Sequence, residues 1–211
     1  MSVSKARFES DTLPSQAQAH ANAGQRIGLL GGSFNPAHDA HRHISLIALR
    51  RLRLDEVWWL VSPQNPLKTS EGMAPLERRV ERARETAKHP RIYVSPIELA
   101  LGTRFTIDTI TALRTTFAQA RFVWLMGGDS LVSFHLWRRW KDVAKAMPIG
   151  VIGRPHFTMR ALCSPAARHL SGVRVLDPAD LAQGKPPAWA FVQEHLDPAS
   201  ATQLRNSGVW P

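Results

Sequence analysis

One cysteine, Cys163, stands alone in 211 residues, which excludes an intrachain disulfide and agrees with a reducing, cytoplasmic setting. No apolar run approaches the ~20 residues that a membrane-spanning helix needs, so neither a membrane anchor nor a membrane partner is expected. Residues 1–25 lack the apolar stretch of a signal peptide and are polar and rich in Ala, Ser and Gln. They read as a mobile N-terminal tail ahead of one domain over 26–211. No internal repeat and no interior linker divides that domain. Acidic residues are also scarce, 17 against 27 Lys and Arg, for a formal net charge of +10. Such an excess favours anionic partners: nucleotides, nucleic acid or acidic membrane surfaces. The basic residues are spread along the chain, which speaks for a phosphate ligand over a polybasic tail.

What is present is an alternation of short apolar runs and helical periods. Strands are expected over Arg26–Leu30, Glu56–Ser62, Arg91–Ser95, Arg121–Met126, Ile149–Gly153 and Trp189–Gln193. Helices are expected over His41–Leu54, where Ile44, Ile47, Ala48 and Leu52 share a face, over Pro75–Lys88, and over Thr106–Phe117. Strands alternating with helices predict right-handed crossovers and an α/β domain with a mostly parallel sheet of five or six strands. Ligands of such sheets sit beyond the carboxyl ends of the strands. The loops after Leu30, Val61, Met126 and Ile152 are therefore the candidate sites, and they carry Gly, Asn, Asp, His and Arg.

The first loop holds Gly31, Gly32, Ser33, Phe34, Asn35 and Pro36, then His38, His41 and His43. Glycines let the main chain approach a ligand, and a helix beginning at His41 aims free N–H groups at the strand end. Imidazoles there can donate to phosphate oxygens. No Gly-Lys-(Ser/Thr) follows, so this is not a Walker loop, and Gly28, Gly31 and Gly32 have the wrong spacing for a dinucleotide fingerprint. A zinc site is disfavoured because the histidine spacings are three and two with no cysteine nearby, so no metal ligand is assigned. His43 points away from His41 on the helix. At the other end, Asp197-Pro198 precedes Ser200, Thr202 and Arg205. Ser200 suits an N-cap, and Thr202 and Arg205 share a helical face, which makes a second phosphate site possible.

The stretch from Gly31 to His41 resembles the signature Gly-Gly-(Ser/Thr)-Phe-(Asp/Asn)-Pro-x-His-x-Gly-His of the nucleotidyltransferase superfamily, with Ala40 in place of the usual Gly. Ser62–Lys68, Arg104-Phe105-Thr106, the run from Met126 through Asp129 to Trp137, Arg154-Pro155 and Ala199–Arg205 are similar to later motifs of its nicotinate mononucleotide adenylyltransferase branch. The likeness spans Ile27 to Arg205. It implies a Rossmann-like nucleotidyltransferase fold and the reaction of ATP with nicotinate mononucleotide to give deamido-NAD and pyrophosphate. It further implies that His38 and His41 act on the triphosphate as the catalytic pair. ATP would also meet Gly31, Gly32, Ser33, Phe34, Gly127, Asp129, Ser200, Thr202 and Arg205. Nicotinate mononucleotide would meet Asn65, Lys68, Thr106, Trp137 and Arg154. Mg²⁺ would arrive mainly on ATP. Two other readings stay open: an adenylyltransferase for nicotinamide mononucleotide or phosphopantetheine, and a basic nucleic-acid-binding module. The resemblance favours small-molecule partners over nucleic acid and leaves the oligomeric state undefined.

Overall fold

A computed structural model describes residues 23–63, 72–153 and 158–193. Six short runs rich in Val, Ile, Leu and Trp form the strands: β1 (Arg26–Gly32), β2 (Glu56–Val61), β3 (Ile92–Ser95), β4 (Arg121–Gly127), β5 (Ile149–Ile152) and β6 (Trp189–Val192). All six pair in parallel, in the order β3-β2-β1-β4-β5-β6. Between them lie α1 (Asp39–Arg51), α2 (Leu76–Ala87), α3 (Ile97–Leu101), α4 (Thr106–Thr116), α5 (Gly128–Ser133), α6 (Trp140–Ala146), α7 (Thr158–Leu162) and α8 (Pro165–His169). The strand order reverses between β1 and β4. A crevice opens at such a switch point, beyond the carboxyl ends of the two strands.

Both faces of the sheet are covered, which is why β2 is buried along its whole length. Side chains alternate across it. Val57, Trp59 and Val61 join a cluster with Ile44, Ala48 and Leu49 of α1 and Val80 and Ala83 of α2. Trp58 and Leu60 join the opposite cluster with Ile110 and Leu113 of α4 and Val143 of α6. The buried indole of Trp59 donates Nε1–H to Ser45 Oγ at 2.7 Å, which fastens α1 to β2.

Two helix limits differ from the sequence expectation. Helix α1 starts at Asp39, with His38 as its N-cap, so His41 is one turn inside the helix. The helix ends at Arg51, and Arg53 lies beyond it with φ of +50°. Only Arg50 and Arg51 therefore meet the helix dipole. Helix α3 and helices α5 to α8 were not expected, because five to seven residues are too few to show a helical period. The expected tail falls largely on residues 1–22, outside the described residues.

Candidate active site

Strand β1 delivers the first loop to the switch point. A Cβ at Gly31 would stand 2.6 Å from the Trp124 ring, so this glycine makes room for a core tryptophan. A Cβ at Gly32 would meet only the Phe34 ring, at an ordinary 3.4 Å, so the chain itself does not require glycine there. Phe34 takes a left-handed φ of +46° and is 2% exposed. Its ring stacks on Trp59 with centroids 5.1 Å apart and lies 4.8 Å from the His41 ring. Its side chain belongs to the core, and only its main chain can face a ligand.

The histidines are arranged by the helix start. The main-chain N–H of His38 donates to His41 Nδ1 at 3.3 Å. The third helical residue reaches back to the cap in the same way as the Glu or Gln of a capping box. An Nδ1 that accepts carries no proton, so neutral His41 bears its hydrogen on Nε2, which is a donor. His41 is half-buried, while His38 is 5% exposed and lies ring to ring with it at 3.9 Å. His41 is thus the donor at the loop surface and His38 the residue beneath it.

Strand β4 brings up the opposite wall. Leu30 pairs with Leu125, so Gly127, two residues further, ends level with Gly32. Gly127 caps α5, and Asp129 sits half-buried in its first turn. Trp137 is half-buried, edge-on to Trp124 at 6.2 Å and to Phe134 at 5.3 Å. Thr106 opens α4 behind the cap residue Phe105. The Arg138 guanidinium lies over the Phe105 ring at 4.4 Å, with Arg104 at 5.7 Å. Arg138, next to Trp137 in the chain, thus lies over the cap residue of the helix that Thr106 opens, and Arg104 adds a second guanidinium on the same ring. A flat anion suits that corner.

Three contributors escaped the sequence reading. Arg138 was passed over beside Trp137. Arg79 of α2 is 1% exposed and holds one main-chain carbonyl of the first loop, Ser33 O, and one just after β2, Ser62 O. Its signal was visible: it shares a helical face with Leu76, Val80 and Ala83, where an apolar residue is the norm. Glu98 of α3 is the third, 5% exposed, with Thr109 Oγ1 donating to its Oε1 at 3.3 Å and Thr103 Oγ1 2.9 Å from Thr109 Oγ1. Burial pushes its carboxyl pKa up, and hydrogen bonds from Ser62 and Thr109 oppose that. The expected residues Asn65, Lys68, Arg154, Ser200, Thr202 and Arg205 lie outside the described residues. Among the described residues no group of three or more His, Cys, Asp or Glu could hold a metal ion, and no helix is long and apolar enough to cross a membrane.

Glu98 makes stability depend on pH. A carboxyl whose pKa is raised by folding contributes fully below the ordinary glutamate value, and the contribution is lost as pH climbs through the folded value. Each unit of raised pKa is worth about 1.4 kcal/mol, or roughly 3–6 °C in a chain of this size. The melting temperature of Glu98→Gln minus that of the parent is expected to rise as pH climbs above 4.5, the ordinary glutamate value, and to level off once pH passes the raised folded value. A difference that stays flat across this range would remove the assignment.

Residues 29–207 match the cytidylyltransferase-like family. Relatives from Cereibacter sphaeroides and Parvibaculum lavamentivorans are each 51% identical, over 184 and 189 residues. The alignments span 87% and 89% of this chain and 98% and 94% of those relatives. Both are named "Probable nicotinate-nucleotide adenylyltransferase". The Plasmodium falciparum nicotinic acid mononucleotide adenylyltransferase, solved with APC and with NaAD, superimposes with a TM-score of 0.61 over 86% of this chain and 83% of its own. At 15% identity that likeness concerns the fold.

Proposed function

This chain belongs to the nicotinate-nucleotide adenylyltransferases of the cytidylyltransferase-like family, and we infer from that premise that it transfers the adenylyl group of ATP to nicotinate mononucleotide in NAD biosynthesis. One observation in the site carries the reading furthest. His41 is locked by its Nδ1 bond into the form that donates from Nε2, at a helix start beside the sheet's switch point. That is the equipment for holding and neutralising a phosphate chain.

The chemistry needs no protein nucleophile. The mononucleotide phosphate is largely a dianion near neutral pH. One of its oxygens forms a bond to the α-phosphorus of ATP. The bond from that phosphorus to the bridging oxygen breaks, and the electron pair leaves with pyrophosphate. The products are deamido-NAD and pyrophosphate. The protein's task is to align the two phosphates and to stabilise negative charge building on the α-phosphate and the leaving group. In this reading the main chain of Gly31, Gly32, Ser33 and Phe34 and the imidazoles of His38 and His41 hold the triphosphate, with Ser200, Thr202 and Arg205 around its outer phosphates. Gly127 and Asp129 serve the adenosine side, Asp129 by accepting from ribose hydroxyls. Trp137 faces the pyridine ring, Thr106 its carboxylate, and Asn65, Lys68 and Arg154 the rest of the mononucleotide. The first loop offers N–H donors, which suit phosphate oxygens and not a hard cation. Mg²⁺ is accordingly assigned to ATP and water, where it lowers the charge of the triphosphate.

The full chain mixed with ATP, Mg²⁺ and nicotinate mononucleotide is expected to release pyrophosphate in step with deamido-NAD. Release with phosphopantetheine instead, or with neither acceptor, would overturn the assignment.

A further inference from the structure

Four main-chain carbonyls surround the guanidinium of Arg79. Nε donates to Ala74 O at 2.9 Å, Nη1 to Ser33 O at 2.6 Å and Ser62 O at 2.7 Å, and Nη2 to Pro63 O at 3.0 Å. An arginine is an unusual choice for the inward face of a helix. A leucine would fill the space without desolvating a charge. What the arginine adds is five donors in a rigid fork, able to fix several acceptors at once.

The acceptors are not a random set. Ser33 lies in the loop that follows β1. Ser62 and Pro63 directly follow β2. Ala74 lies two residues before α2. Asn35 fastens the same pieces from the other side, donating Nδ2–H to Gly72 O at 3.0 Å and accepting from Ala74 N–H at 3.1 Å. The Ser62 N–H donates to Gly32 O at 2.9 Å. One buried cation therefore sits where the loop assigned to ATP meets Ser62–Pro63 and Gly72–Ala74, the residues that flank Asn65 and Lys68 in the sequence.

We propose that Arg79 is a positioning residue that couples the first loop to Ser62–Pro63 and Ala74, so that filling the ATP side fixes the strand end serving the mononucleotide and the reverse. The proposal rests on the adenylyl-transfer reading for the identity of the two ligands. Arg79 touches neither of them. It acts through the carbonyls it holds, whose displacement would misalign both phosphates.

Arg79→Lys keeps the charge but has three donors on a flexible stem and cannot hold four carbonyls spread around a plane. With both substrates varied, the folded variant is expected to show about fivefold or greater increases in both KM values and a fall in kcat of about tenfold or more. Circular dichroism and melting identify the folded material. Parental KM values in folded protein, or a change in only one of them, would overturn the coupling. Should the lysine variant not fold, the parent chain still decides the matter by hydrogen exchange. Linkage is reciprocal. α,β-Methylene-ATP alone should slow exchange at Ser62 and at Met73–Ala74, and nicotinate mononucleotide alone should slow it at Ser33 and Phe34. Protection confined to each ligand's own loop would overturn the proposal. Absence of pyrophosphate release by the parent would instead remove the functional reading, and the exchange pattern with the ATP analogue would still report on Arg79.

Discussion

His41→Ala is expected to lower kcat/KM by about 100-fold or more, the scale of losing one preorganised donor to developing charge. The loss should fall mainly on kcat, because a donor aimed at the α-phosphate binds more strongly as negative charge grows. A side chain that faced only ligand could be removed with folding nearly untouched. The helix start adds a second effect. Alanine also removes the acceptor for the His38 N–H, and losing a cap costs about 0.5–2 kcal/mol. A melting temperature lower by a few degrees is therefore expected alongside the catalytic loss. His41→Gln separates the two: glutamine can reach back to the cap as in a capping box, so stability should return while turnover does not. Steady-state rates and melting curves on the three proteins check both claims. Activity within a few-fold of the parent in the alanine variant would remove His41 from the reaction.

The second large effect concerns the pyridine substituent. Nicotinate mononucleotide should be preferred over nicotinamide mononucleotide by ~10³-fold or more in kcat/KM, because donors arranged for an anion are left poorly paired by an amide. The α4 start at Thr106 offers a hydroxyl and first-turn N–H groups. Arg138 and Arg104 over the Phe105 ring add positive potential in the same corner. The buried acid beside this helix, Glu98, hydrogen-bonds to Thr109 one turn along and is pushed toward its neutral form by burial. It thus opposes a bound carboxylate less than an ionised glutamate would. Rates for the two mononucleotides at one saturating ATP concentration measure the ratio. A value near one would mean dual specificity, and a preference for the amide would reverse the reading of this corner.

The fold was legible because its strands are the simplest kind to read. A parallel strand covered on both faces is a continuous apolar run, as in Glu56–Val61, and glycines mark where β1 and β4 stop. All six expected strands are present, as is the α/β class. The first loop was legible too, because its residue types are dictated locally by the strand end and the helix start. The helices after Gly127 were hidden by their shortness. Arg79 was hidden for another reason. Its partners are carbonyls, which every residue possesses, so no residue type at the other end announces them. The double function of His41 was obscured in a similar way, since placing the helix start at His41 instead of Asp39 left no cap for its Nδ1 to hold.

The order of strands also bears on how the chain is made. Strand β1 lies at the centre and needs two neighbours, β2 beginning at Glu56 and β4 beginning at Arg121. During synthesis β1, β2 and β3 with α1 and α2 can assemble as soon as they emerge, but the second edge of β1 stays bare until Arg121–Gly127 follows. At about 5–20 residues per second, the wait between these two pairings lasts several seconds. Throughout it β1, with Ile27, Leu29 and Leu30, keeps one edge of open N–H and C=O groups, the kind that templates association between chains. Nascent chains of this protein are therefore most exposed to aggregation in the interval between α2 and β4, and that is where a chaperone would have most to protect.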